Sequence, residues 1–109
     1  MTSKQDTVDF IIEQLSSLSG VQARKMFGDY ALYVGDKVVG LICDDQLYIK
    51  YTDPGKAFAD GKYVEGYAYS GAKPSMDVSD NIDDREFLLE LVSLTAVALP
   101  SPKPKKKPL

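Results

Sequence analysis

From Val21 to Tyr51 the apolar residues follow a period of two, and short turn signals cut the run into strands. Gly35-Asp36 lies between Tyr30-Ala31-Leu32-Tyr33-Val34 and Val38-Val39-Gly40-Leu41-Ile42-Cys43, which is a two-residue hairpin signal. Asp44-Asp45-Gln46 turns the chain again, into Leu47-Tyr48-Ile49-Lys50-Tyr51. The middle strand is apolar throughout and so needs cover on both faces. Upstream, Val21 to Phe27 leads into Gly28-Asp29. A glycine inside an extended run predicts a bulge, so residues 21–34 read as one strand bent at Gly28. The whole is an antiparallel meander.

Helices flank it. Val8, Ile11, Ile12, Leu15 and Leu18 share one face of a helix predicted from about Asp6 to Leu18, with Asp6 or Thr7 as cap and Gly20 past its end. Asp53-Pro54 opens a brief helix to about Asp60, with Asp53 as its cap. A second hairpin is expected from Tyr63 to Ser70 and Ser75 to Ser79. The last helix starts near Asp83 or Asp84, where Asp83 and Glu86 form a variant capping box, and Pro100 stops it. Its apolar residues cover more than one stripe, which predicts burial on more than one side. Leu88, Leu91, Val92 and Val97 are therefore candidate contacts of a homodimer. The order α-β(3)-α-β(2)-α gives an α+β two-layer sandwich. Residues 1–99 form the domain, and 100–109 are expected to be a disordered Pro/Lys-rich tail.

The composition removes much chemistry. There is no histidine and a single cysteine, Cys43. Ser-His and Cys-His nucleophiles, paired-thiol metal sites and an internal disulfide are thereby excluded. No apolar run approaches membrane-spanning length, and the polar Met1–Asp9 segment lacks a secretory signal's apolar middle. A cytoplasmic protein without membrane contact is expected. Four of the thirteen basic residues (Lys103, Lys105, Lys106 and Lys107) fall in the last ten positions. The first 99 residues thus carry nine basic against sixteen acidic side chains, a net of −7 that repels phosphate.

The segment Arg24-Lys25-Met26-Phe27-Gly28-Asp29-Tyr30-Ala31-Leu32-Tyr33 resembles the Arg-x-Met-Phe-Gly-Gly-Tyr-Gly-Leu-Tyr motif of the TfoX/Sxy competence-regulator family, in its N-terminal domain. Asp29 stands for the second glycine of that motif and Ala31 for the third. Leu41 to Lys50 is similar to the family's next strand and turn. Tyr67-Ala68-Tyr69, Met76-Asp77-Val78 and Ile82 to Leu89 follow its later elements more loosely, without the usual Trp-Ala-Arg portion. The resemblance covers residues 5 to about 99 and implies a secretion-chaperone-like fold. It also implies a non-enzymatic protein without cofactor, a role in competence and DNA-transformation gene expression, and protein partners that include transcription machinery. The family's studied members add a second domain resembling a helix-hairpin-helix module; this chain is similar to the first alone.

Candidate partner or nucleic-acid contacts are Arg24, Lys25, Tyr33, Tyr48 and Lys50, with the four tail lysines. Arg24 and Lys25 could meet an acidic partner or phosphate, or simply guard a strand edge against aggregation. Tyr33, Tyr48, Tyr67 and Tyr69 could stack single-stranded bases, but few cations interleave with them, and core or interface packing suits tyrosine as well. Asp29, Asp36, Asp44 and Asp45 fall in predicted turns, where aspartate caps its own backbone, and lack the regular spacing of a calcium loop. The tail could supply about four phosphate contacts, with a salt slope near roughly −3.6. The primary expectation is an interaction module; the alternative is a weak nucleic-acid binder using the tail and the Arg24/Lys25/Lys50 surface.

Overall fold

The computed structural model describes residues 5–26 and 29–100. These form helix α1 (Gln5–Gln14) and strands β1 (Val21–Met26), β2 (Asp29–Val34), β3 (Lys37–Cys43) and β4 (Gln46–Ile49). Helix α2 (Asp53–Phe58), strands β5 (Val64–Gly66) and β6 (Ser75–Asp77), a 3-10 turn (Ser79–Asn81) and helix α3 (Arg85–Ala98) follow. All strand pairs are antiparallel, in the spatial order β1-β2-β3-β4-β6-β5. The α+β class is as the sequence predicts.

The strand count differs. Residues 21–34 are two strands, with Val21 opposite Val34, Ala23 opposite Leu32 and Met26 opposite Asp29. Pairing joins the apolar positions of both halves on one face and satisfies backbone groups that a single bent strand would leave without a ladder partner. The expected bulge at Gly28 lies outside the described residues. An irregularity occurs instead in the next pair: Leu32 pairs with Gly40 but Tyr33 with Val38, so Val39 is the extra residue and its side chain is fully buried. Gly40 is required there, because a Cβ would lie 2.2 Å from the Tyr48 carbonyl oxygen. At the β3–β4 turn Asp44 and Asp45 both adopt positive φ, 53° and 61°, a conformation that short polar side chains tolerate.

One face of the sheet carries the core. Leu32, Ile42, Leu47, Ile49 and Met76 pack with Val8 and Ile11 of α1, with Leu15 just past its end, and with Leu88, Leu91 and Val92 of α3. Gln14 Nε2 donates to the Ile82 carbonyl at 2.9 Å, joining α1 to the approach of α3. Thr52, and not Asp53, caps α2, its Oγ1 accepting the Gly55 N–H. Of the two expected starts of α3 Asp84 is the cap, its carboxylate accepting the Phe87 N–H in place of an Asp83 box. The predicted second hairpin is shorter than expected, and residues 67–74 are a loop.

The wide apolar surface of α3 is satisfied within the protomer. The sheet covers one side and α2 another, where Phe58 stacks on Phe87 with centroids 5.6 Å apart. Leu88, Leu91 and Val92 are fully buried, so they cannot be dimer contacts as the sequence suggested. Val97 alone of the four is exposed, at 83 %.

Candidate functional site

Among the described residues, no helix lies on the other face of the sheet. Alternation along the strands sends Gln22, Arg24 and Met26 of β1, Ala31 and Tyr33 of β2, Leu41 and Cys43 of β3 and Tyr48 of β4 to this side. Met26, Tyr33 and Leu41 are half-buried, whereas Tyr48 and Cys43 lie beneath the surface. The Arg24 guanidinium stands over the Tyr33 ring, 4.9 Å from its centroid, which holds both side chains along the β1 side.

The 67–74 loop runs along the opposite side and divides the face into two hollows. One, of about 260 Å³, is lined by Met26, Asp29, Tyr30, Leu41, Cys43 and Tyr69. The other, of about 590 Å³, lies among Leu41, Lys50, Tyr51, Tyr69, Lys73 and Pro74. Leu41 and Tyr69 border both. Tyr69 is 58 % exposed, so an aromatic ring stands between two apolar depressions. Apolar depressions beside an aromatic ring suit apolar side chains, and Lys50 and Lys73 line the larger one.

The titratable Cys43 and Tyr48 of the face are held in their neutral forms. Burial, and then the nearby Asp29 and Asp44 carboxylates, push the Cys43 thiol above its ordinary 9.0, so it stays protonated at neutral pH and is a poor nucleophile. Burial, and then Asp77, raise Tyr48 above 10.0. Tyr51, at the larger hollow, is also raised, first by burial and then by the 2.9 Å hydrogen bond that its hydroxyl donates to Glu65. Among the described residues no group of three or more acidic or thiol side chains could hold a metal ion.

Only part of the predicted site comes together here. Arg24 and Tyr33 do. Tyr48 is 7 % exposed, and its hydroxyl donates to Gln46 Oε1 at 3.1 Å, while Gln46 Nε2 donates to Asp77. Its ring lies under Gly66. Tyr48 thus supports the face from inside and cannot stack on an external base. Lys25 is two residues from the core-facing Ala23 and lies on the helix side of the sheet, away from Arg24. Lys50 follows β4, three strands from β1 and so roughly 14 Å away. The three cations do not make one continuous surface. Lys103, Lys105, Lys106 and Lys107 lie outside the described residues. Sequence reasoning missed Met26, Leu41 and Lys73 as members of the face; for Leu41 the signal was the strand apolar on both sides.

A family model, TfoX N-terminal domain, matches residues 13–98. The chain belongs to the TfoX N-terminal domain family. The Arg24–Tyr33 segment, which carried the resemblance, thus lies in the TfoX N-terminal domain's edge hairpin, and its Arg24 and Tyr33 flank the open face. The chain is also similar to an "Uncharacterized 12.7 kDa protein in trpE 5'region" of Spirochaeta aurantia, 39% identical over 97 residues that cover 89% of this chain and 84% of the relative. Among the described residues of this TfoX N-terminal domain, no helix is long and apolar enough to cross a membrane.

Proposed function

We propose that this domain is a non-enzymatic interaction module that contributes to the regulation of competence and DNA-transformation genes by holding a protein partner on the open face of its sheet. The observation that carries this reading is the pair of hollows around Tyr69 and Leu41 on a face that no helix among the described residues covers. Family membership supplies the competence context. The partner, transcription machinery or a protein bound to it, inserts apolar side chains beside Tyr69. The thiol held protonated and the lack of histidine favour binding over catalysis. The module works in the cytoplasm and as a homodimer, whose contacts do not involve the buried residues of α3.

The test is transcript measurement in cells lacking the gene, complemented with the wild type or with Leu41→Asp at equal protein level. DNA-uptake transcripts fall on deletion and return with the wild type alone. Their return with Leu41→Asp, or no change on deletion, contradicts the reading.

The alternative is a weak nucleic-acid binder, favoured by the four tail lysines. Fluorescence anisotropy with duplex and single-stranded DNA separates the two, comparing the full chain with a version ending at Leu99. Binding that is lost with the tail and falls steeply with salt means an electrostatic tether on a protein-binding domain. Binding that survives truncation and is lost in Arg24→Ala moves nucleic acid onto the sheet.

A further inference from the structure

Strand β1 is one edge of the sheet, with β2 as its neighbour and no described strand beyond it. The Gly20 carbonyl accepts the Gly35 N–H at 2.9 Å, one step past the Val21–Val34 pair. Hydrogen-bonded and non-hydrogen-bonded pairs alternate along an antiparallel ladder. Gln22, Arg24 and Met26 therefore bond to β2, whereas Val21, Ala23 and Lys25 turn their N–H and C=O groups off the edge. Such a row is a template for another strand. The opposite edge, β5, is three residues long and too short for this, while β1 is six.

The β1 edge also changes sign along its length. Lys25 is exposed at one end, on the helix side of the sheet. At the other end Val21 borders a hollow lined by Asp9, Ile12, Glu13 and Leu18. The run of α1 explains the asymmetry. Its first residue, Gln5, accepts a hydrogen bond from Tyr30, the cross-strand partner of Lys25, and its far end leads through Gly20 into Val21. Glu13 thus sits at the Val21 end.

We infer that a second copy of this chain pairs with this edge, β1 against β1, antiparallel across a two-fold axis at Ala23. In that register Ala23 meets the partner's Ala23, and a methyl group on the axis keeps the strands from clashing. Lys25 stands opposite the partner's Val21, beside the hollow that holds the partner's Glu13, and the symmetry repeats the contact. The three outward residues of each strand exchange their backbone bonds as one continuous ladder. A uniformly acidic or basic peptide matches only one end of the edge, whereas an antiparallel copy of the same strand matches both. Pairing at the edge is independent of what the open face binds.

The test is sedimentation equilibrium of the full chain over a range of concentrations. The wild type is a dimer. Ala23→Pro removes an N–H that points off the sheet, keeps the β1–β2 ladder, and gives a monomer with an unchanged circular dichroism spectrum. Lys25→Glu and Glu13→Lys each weaken the dimer about tenfold, and the double variant recovers most of the loss. A wild type that stays monomeric at every concentration overturns the inference, as does a folded Ala23→Pro protein that dimerises like the wild type. If Ala23→Pro does not fold, the charge swap decides: a double variant no tighter than either single one overturns it.

Discussion

Arg24 and Tyr33 lie on neighbouring strands in a diagonal relation, and the guanidinium stacks on the ring at 4.9 Å from its centroid. The contact rigidifies the β1 margin of the open face at an exposed site, where such a pair contributes about 0.5–1 kcal/mol. Arg24→Ala should lower unfolding stability by about that amount, read from the urea midpoint, and Tyr33→Leu should lose a similar amount. If the double variant loses the full sum of the two, the side chains are not coupled.

Gly40 has no room for a side chain. A Cβ there would lie 2.2 Å from the Tyr48 carbonyl oxygen and 3.0 Å from Ile49 Cδ1. Since the nearest obstacle is backbone in the central pair of strands, Gly40→Ala should be destabilising at the upper end of the roughly 1–3 kcal/mol typical of overpacking. A thermal melt within a degree of the wild type would contradict the β3–β4 geometry.

Lys37 Nζ donates to the Ala96 carbonyl at 2.7 Å, placing a cation at the C-terminal end of α3. Lys37→Met keeps most of the aliphatic stem and removes the charge. Stability should fall by about 1 kcal/mol, and amide exchange should quicken in the last turn of α3 before it does elsewhere.

The fold was legible where period and local chemistry agree. The start of α1, the Gly35-Asp36 and Asp44-Asp45 turns and the apolar run 38–43 of β3 lie where the sequence puts them, whereas α1 ends at Gln14 and not at Leu18. Residues 21–34 misled because Arg24 and Lys25 interrupt the alternation, so no change of period marks where β1 ends and β2 begins. The apolar breadth of α3 was read as a subunit contact, yet Phe58 of α2, with β5, β6 and the 3-10 turn between them in the chain, covers Phe87 from the second side. Helix periodicity reports how wide a buried surface is, and not what buries it. The open face was legible in Arg24, Tyr33, Lys50 and Tyr69 as separate residues, but the two hollows were not, since they depend on the path of the 67–74 loop beside Leu41.

Alkaline pH should weaken the fold before acid chemistry of these groups matters. The folded state holds the Cys43 thiol above 9.0 and the Tyr48 and Tyr51 hydroxyls above 10.0. The unfolded chain releases these protons first, so their stabilising contribution is complete below the unfolded values and is lost as pH rises through the folded ones. Denaturant midpoints should be flat across the neutral range and decline above about pH 9. Cys43→Ala should shallow the first part of that decline. An unchanged slope would mean that the thiol titrates normally in the folded protein.

The most direct test of the account is a photo-crosslinking amino acid placed at Leu41 or Tyr69 in cells that make the protein, with Glu90 on the outer side of α3 as the control position. The account predicts the same discrete protein adduct from both open-face positions and none from position 90. Nucleic-acid adducts in its place, or protein adducts equally strong at position 90, would contradict a partner-binding open face.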